Sequence, residues 1–179
     1  SSNEEEQKKK HFERKRIISE MFRETAKVKA KNVAKWLMDR LEAYDEKIVF
    51  FGYHQVMLDM VETLCSNVEK IRIDGSTSTE NRQAYVNRFQ DDPKVRLAVL
   101  SLMAAGTGLT LTASSTVVFG EMYWVPGVIL QAEDRCHRIS QTQPVSIYYL
   151  LGQETIDTYI HPVLAKKLKV LDNITDQRA

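Results

Sequence analysis

The sequence predicts an α/β fold: a mostly parallel sheet of about five or six strands, flanked by helices on both faces. Two observations lead to it. Short apolar runs without polar alternation recur along the chain, as expected of strands that are covered on both faces. Segments with apolar residues at helical spacing separate these runs and supply the crossover connections that parallel strands require. The 179 residues are enough for one full domain and too few for two large ones.

Five segments carry the strand pattern: KIVFFG (47–52), KIRID (70–74), VRLAVLS (95–101), STVVFGE (115–121) and VSIYYLL (145–151). Helical spacing predicts helices over residues 54–66, 78–90, 127–139 and 154–172. The first of these is expected to bury Val56, Met60, Val61 and Leu64.

An amphipathic helix ending near Tyr44 is predicted before the first strand, from an apolar stripe of Ala26, Ala30, Val33, Leu37 and Leu41. The charge run over residues 4–16 has little to bury, which favours a solvated helix; a nuclear localisation signal or a DNA-contacting arm is the alternative. We therefore expect a charged extension over residues 1–24, flexible or helical, a folded domain over residues 25–172 and a tail over residues 173–179. The chain starts without methionine, so we expect it to be part of a longer protein.

Composition excludes several classes of protein. Lys and Arg number 25 against 24 Asp and Glu, so net charge gives no argument for nucleic-acid binding, and any anion site must arise from local placement. The two cysteines, Cys65 and Cys136, lie far apart without a CxxC pattern, which argues against a disulfide framework or a zinc site and favours a reducing intracellular compartment. No metal site and no membrane contact are predicted, and no apolar run approaches membrane-spanning length.

The loops that follow the strands are the expected place for a ligand, because parallel sheets bind ligands beyond the carboxyl ends of their strands. The second loop contains Gly75, Ser76, Thr77 and Ser78. It is consistent with a helix capped by Ser78 and also with a backbone that approaches phosphate. The third loop contains Gly106, Thr107, Gly108 and Thr110, whose small side chains and hydroxyls suit the same purpose.

Two arginines three positions apart, Arg135 and Arg138, lie in QAEDRCHRISQ (131–141) and are predicted on one helix face. Their planar guanidinium groups can bond phosphate oxygens, so the two residues could serve as arginine fingers for a nucleotide held by another lobe. The alternative is an exposed helix in which Glu133 and Asp134 pair with them. The sequence has no G-x-x-x-x-G-K-[ST] motif, so the chain alone is not expected to hydrolyse a nucleotide efficiently.

Four segments occur in the order found in the second RecA-like lobe of the Swi/Snf-type ATPases of helicase superfamily two, and the chain resembles that family over residues 25–172. They are IVFFGYHQVMLD (48–59), IRIDGSTSTENR (71–82), VLSLMAAGTGLTLTASSTVVFGEMYWVPG (99–127) and QAEDRCHRISQ (131–141). IRIDGSTS, GLTLTASSTVVFGEMYW and VSIYYLL are most similar to the annealing-helicase branch, the HARP-like and zinc-finger Ran-binding-type enzymes.

The resemblance implies a three-layer RecA-like lobe of a nuclear DNA translocase that rewinds complementary strands or remodels replication forks. ATP with Mg²⁺ would be bound mainly by an N-terminal RecA-like lobe of the same polypeptide, and this lobe alone would be inactive. Three sets of residues match functional motifs of the family. They are Gln131, Arg135 and Arg138 for the arginine fingers, Gly106, Thr107 and Gly108 for the nucleotide-sensing loop, and Gly75, Ser76, Thr77 and Ser78, with Thr110, for the DNA backbone.

Three positions depart from the family pattern: Ser140 replaces a usual glycine, Val125 a usual Asn or Asp, and Gly120 a usual alanine. Little consequence is expected from Gly120. Trp124 is expected to pack beneath its loop and His137 to orient its neighbours by hydrogen bonds. Two other functions remain open: a non-catalytic RecA-like binding module, and a strand-separating helicase or chromatin remodeller of the same superfamily.

Overall fold

The computed structural model describes residues 2–123, 126–137 and 140–176, with residues 105–107, 126 and 171–176 described by their backbone alone. Its sheet has five strands in the order β2-β3-β1-β4-β5, and every neighbouring pair is parallel. The strands are β1 (Ile48–Gly52), β2 (Lys70–Ile73), β3 (Leu97–Ser101), β4 (Thr116–Phe119) and β5 (Ser146–Tyr149). The predicted fold class is confirmed, and each strand lies within its predicted segment.

Five α-helices accompany the strands: α1 (Ser2–Ala43), α2 (Gln55–Leu64), α3 (Thr79–Asp91), α4 (Pro126–Asp134) and α5 (Asp157–Asp176). A 3₁₀ helix covers Leu102–Thr107, where a loop was predicted. The last helix begins and ends later than predicted. None of the helices in the described ranges is long and apolar enough to cross a membrane.

The first helix is one continuous element in which the charge run is exposed and the predicted apolar stripe is buried. Residues 4–16 are helical and exposed, as expected of a solvated helix. Ala26, Ala30, Val33, Leu37 and Leu41 are all buried. Burial begins before residue 25, because Phe22 is only 5% exposed. The division at residue 24 remains a prediction.

The two faces of the sheet have separate cores. Phe50 of β1 points to the face covered by α1 and α2, where it packs with residues such as Leu37 and Val61. Its neighbour Phe51 points to the face covered by α3 and α4 and stacks on Phe119 with ring centroids 5.3 Å apart. This alternation follows from the period-two geometry of a strand.

The buried face of α2 was predicted only in part: Val61 is buried as expected, whereas Val56 and Met60 are half-buried. It consists of Met57, Leu58 and Val61, which are fully buried, whereas Leu64 is 38% exposed. The reason is that α2 packs against both the sheet and α1, so its buried stripe faces the groove between them. A single sequence pattern cannot reveal which direction a second neighbour covers.

Gly120 matters more than predicted. A Cβ atom at this position would lie 2.4 Å from Cζ of Phe50 and 2.6 Å from its Cε2. The ring of Phe50 therefore occupies the space that the usual alanine would need. The backbone angle of Ser140 depends on residue 139, which lies outside the described residues, so the effect of serine at this position stays a prediction.

Candidate functional site

The loop after β2 is organised around Asp74, which is 7% exposed. Its Oδ1 atom accepts hydrogen bonds from the Ser76 amide at 2.9 Å and from the Ser76 hydroxyl at 2.6 Å. The hydroxyl bond of Ser76, with further help from Arg72, holds the pKa of the Asp74 carboxyl below its ordinary value. The loop is thus a hydrogen-bonded turn with a fixed shape.

The hydroxyls of this loop have different roles. The Ser76 hydroxyl donates to Asp74. The Thr77 and Ser78 hydroxyls instead accept, from the Asp74 amide at 3.1 Å and from the Asn81 amide at 3.2 Å. These two bonds leave the hydroxyl protons of Thr77 and Ser78 available to a phosphate oxygen. Ser78 is exposed and Thr77 half-buried, and the predicted helix cap at Ser78 is confirmed.

Arg72 joins this loop to α2. Its Nε donates to Asp74 at 3.2 Å, while its Nη atoms donate to Asp59, Glu62 and Gln55 at 2.6, 2.6 and 2.7 Å. Because every one of these partners lies on α2 or in the loop, Arg72 fixes the position of one relative to the other. The sequence reasoning did not find this cluster, whose members are separated by up to nineteen residues along the chain.

The loop after β3 begins with the 3₁₀ helix, which includes the backbone of Gly106 and Thr107. Ser101 caps this helix by accepting from the Met103 amide at 3.3 Å. Gly108 ends it with φ of 78°, a left-handed conformation that glycine adopts without steric cost. Thr110 is half-buried, between Leu109 and Leu111, which are buried.

The arginine segment follows α4, which ends at Asp134, earlier than the predicted end at residue 139. Beyond it the amides of Arg135 and Cys136 bond three residues back, to Ala132 and Glu133, so the last turn tightens. Arg135 therefore lies in a turn directly after the helix. The predicted position of Arg135 within the helix is therefore wrong. Arg138 lies outside the described residues, so a shared side for the two arginines stays a prediction.

Arg135 is 9% exposed, and its Nε donates to the carbonyl of Gln131 at 3.1 Å. Gln131 itself is exposed. The backbone of Arg135 is joined to the loop after β3, because its carbonyl accepts from the Leu111 amide at 2.8 Å. The arginine segment and the loop that contains Thr110 are therefore held together by direct backbone contact.

Gln141 strengthens this junction. Its side-chain nitrogen lies 3.0 Å from the Thr112 carbonyl, 2.8 Å from that of Ser114 and 3.1 Å from that of Cys136. One amide side chain thus links both ends of the arginine turn to the segment that precedes β4. No role was predicted for Gln141, because its three partners are identified only by the folded structure. Two neighbours of Arg135 differ in their surroundings. The side chain of His137 is exposed to solvent. The carboxylate of Glu133 accepts a hydrogen bond from the Tyr149 hydroxyl of β5.

The loops after β1 and β4 meet around Glu121, which is 1% exposed. One carboxylate oxygen accepts from the amides of Tyr53 and His54, each at 2.8 Å, and the other lies 2.5 Å from Nδ1 of His54. Phe22 of α1 contacts the His54 ring at a centroid distance of 4.6 Å. A cavity of about 390 Å³ opens beside this contact, lined in part by Arg23 and Tyr123. Trp124 and Val125 lie outside the described residues.

The parallel strand order, the hydrogen-bonded loop after β2 and the arginine turn tied to the loop after β3 together define a RecA-like helicase lobe. The chain belongs to the family described as the helicase conserved C-terminal domain, whose model matches residues 28–140.

Curated relatives confirm the predicted annealing-helicase resemblance. The chain is 45% identical over 152 residues to the SWI/SNF-related matrix-associated actin-dependent regulator of chromatin subfamily A-like protein 1 of Xenopus tropicalis, which covers 84% of this chain and 16% of the relative. It is 44% identical over 164 residues to the DNA annealing helicase and endonuclease ZRANB3 of Homo sapiens, covering 90% of this chain and 15% of the relative. The chain thus spans about a sixth of the length of these proteins.

A solved structure agrees with the fold. The C-terminal part of the Fun30 ATPase domain superposes with a TM-score of 0.69 at 29% identity, covering 73% of this chain and 44% of that one.

Proposed function

We propose that this chain is the second motor lobe of an ATP-dependent DNA translocase of the annealing-helicase type. Its relatives are named as a regulator of chromatin and as a DNA annealing helicase. A nuclear protein that acts on DNA is therefore the proposal these similarities support. The lobe would work with an N-terminal RecA-like lobe of the same polypeptide.

In this proposal the N-terminal lobe holds ATP with Mg²⁺. The chain has no phosphate-binding lysine motif, and its described residues include no group of three or more His, Cys, Asp or Glu side chains placed to hold a metal ion. Magnesium bound together with ATP is usually held by one or two carboxylates and by the phosphates themselves, so we assign it to the lobe that holds the phosphates. In this proposal the lobe adds the positive charge of Arg135 and Arg138 and the side chain of Gln131. Gly106, Thr107 and Gly108 would lie at the cleft between the lobes.

The single observation that carries the proposal is the junction between Arg135 and Leu111. Because the arginine turn and the loop with Thr110 share a backbone hydrogen bond, a displacement of one is transmitted to the other. A change at the nucleotide would thereby move Thr110, which we assign, with residues 75–78, to contact with the DNA backbone. Arg135 is largely buried and its Nε bonds the Gln131 carbonyl, so contact with ATP would require its side chain to move away from that carbonyl.

The test is replacement of Arg135 by lysine in the full-length parent protein, with Arg88→Gln as a control. Arg88 is an exposed residue of α3 that pairs only across the surface, with Glu69 at 3.0 Å. We expect R135K to lower the DNA-stimulated ATPase rate by roughly 10³-fold, because an arginine finger contributes about that much or more. DNA affinity should remain within about threefold of the unmodified protein, since phosphate contacts elsewhere are retained.

An ATPase rate that survives R135K would remove the finger role. A different result, in which the unmodified full-length protein binds DNA but has no ATPase activity, would instead make the chain part of a binding module. Strand displacement and strand annealing, measured on forked duplexes with the same preparation, separate the annealing enzyme from a strand-separating helicase.

A further inference from the structure

Arg82 reaches back over the loop that we assign to the DNA backbone. We propose that it is a positioning residue: it holds residues 74–78 in the shape that meets a phosphate, without contacting DNA itself. This inference rests on the proposed DNA-binding function of the loop. Arg82 lies in the first turns of α3, where its amide donates to the Ser78 carbonyl at 2.9 Å.

The guanidinium of Arg82 bonds both ends of the loop. Nε donates to the Thr77 carbonyl at 2.9 Å, and Nη2 donates to the Asp74 carbonyl at 3.0 Å. The Asp74 carbonyl also accepts from the Thr77 amide at 3.2 Å, which closes the turn. Two nitrogen donors on one rigid plane therefore fix the distance between the carbonyls three residues apart, a task that suits arginine rather than lysine.

The placement of this cation is not explained by helix stability. Positive charge near a helix N-terminus is opposed by the macrodipole, which favours acidic residues there, such as Glu80. Arg82 is half-buried rather than fully solvated. Its donors bond the Thr77 carbonyl and add a second hydrogen bond to the Asp74 carbonyl, which already accepts from the Thr77 amide. The placement of Arg82 is therefore explained by the geometry of the loop.

The carboxylate of Asp74 holds the loop from the other side. It receives the Ser76 amide and hydroxyl on one oxygen and Arg72 on the other. Arg82 bonds the carbonyls of the loop, and Asp74 bonds Ser76. The backbone that carries the exposed residues Gly75 and Ser78 is therefore fixed before a phosphate binds. Prearrangement strengthens binding because less conformational freedom is lost when the phosphate arrives.

The positioning role is tested first without DNA, by amide hydrogen exchange measured by NMR on the 179-residue chain and its R82K, R82Q and R88Q variants. We expect the protection of the Ser76 and Thr77 amides to fall by roughly tenfold in both R82K and R82Q, as one lost charge-assisted hydrogen bond implies. R88Q, on the same helix, should match the unmodified chain. If R82K leaves the exchange protection of the Ser76 and Thr77 amides unchanged, the inference is wrong. Lysine keeps the positive charge but lacks the two coplanar guanidinium donors that the inference requires.

The second measurement is binding of a short labelled duplex at several salt concentrations. We expect R82K to bind about three- to tenfold more weakly with an unchanged slope of log affinity against log salt, since the number of phosphate contacts stays the same. If R82K instead binds like the unmodified chain while R82Q loses about one unit of slope, Arg82 contacts phosphate directly and the positioning role is wrong. If no form of the chain binds duplex but amide protection still falls in R82K and R82Q, the assignment of the loop to DNA is wrong. Arg82 would then still be the residue that positions residues 74–78. R82K retains charge and bulk, so its circular dichroism spectrum shows whether the fold is kept.

Discussion

A buried ion pair between Lys29 and Asp157 joins the first and last helices. Nζ of Lys29 lies 2.5 Å from Oδ2 of Asp157 and donates to the Leu150 carbonyl at 2.6 Å. The two side chains are 6% and 1% exposed. The Gly152 amide donates to the same Oδ2 at 2.9 Å, whereas Oδ1 of Asp157 is buried without a hydrogen-bond partner among the described residues.

Replacing Lys29 by methionine would leave the Asp157 carboxylate buried with one hydrogen bond from an amide. Removing one member of a buried pair costs about 3–5 kcal/mol, because the remaining charge has no counterion and no water. The total unfolding free energy of a domain is about 5–15 kcal/mol, so K29M should remove a large part of it. With a urea m-value of about 2–3 kcal/mol/M for a domain of this size, the midpoint should fall by about 1–2.5 M.

The assay is urea unfolding followed by circular dichroism, with Lys27→Met as the matched control. Lys27 is on the same helix, 53% exposed, and pairs with Glu24 at 3.0 Å, so its loss should cost at most about 1 kcal/mol. The double variant K29M/D157L should recover much of the lost stability, because it removes the unpaired charge. A K29M midpoint equal to that of K27M would refute the reasoning, as would a double variant no more stable than K29M.

Three more predictions follow from buried groups. Gly120→Ala should cost about 1–3 kcal/mol of unfolding free energy, because its Cβ meets an aromatic ring at 2.4 Å; Gly127→Ala, on open helix surface, should be neutral or stabilising by up to about 1 kcal/mol in the same thermal melts. Because its pKa is lowered on folding, Asp74 should contribute stability above the ordinary value of 3.8 that is lost as pH falls through the folded pKa. Asp74→Asn should flatten the fall of melting temperature below about pH 4, and a pH profile identical to that of the unmodified chain would contradict this. Burial raises the pKa of Cys65 to about 11 and that of Cys136 to about 12, so neither thiol should react with a disulfide reagent at pH 8 until the chain is unfolded; rapid labelling of the native chain would show that the burial is wrong.

The sequence was sufficient for the layers and the order of the elements, because both follow from local patterns. The uninterrupted apolar run of β1 predicted a strand covered on two faces, and the stripe from Ala26 to Leu41 predicted the buried side of α1. The cap at Ser78 was predicted for the same reason, since it depends on residues three positions apart.

Features that depend on two distant segments could not be read in this way. The buried face of α2 was assigned only in part, because α1 covers it from a direction that the helix's own spacing does not reveal. Gly120 was judged unimportant because its conflict with Phe50 exists only when β1 and β4 lie side by side. Beyond the end of α4, the Arg135 carbonyl bonds the Leu111 amide of another loop, a contact that no local pattern reveals.

By itself, then, the sequence determined the α/β class, the parallel sheet, the position of each loop and the family resemblance, all of which depend on the periodicity and type of residues near one another in the chain. Tertiary structure alone decided which polar groups meet: Lys29 with Asp157, Glu121 with His54, and Arg82 with the carbonyls of the loop after β2. The physical reason is that a hydrogen bond or ion pair requires its atoms within about 3 Å, and packing brings distant residues to that separation.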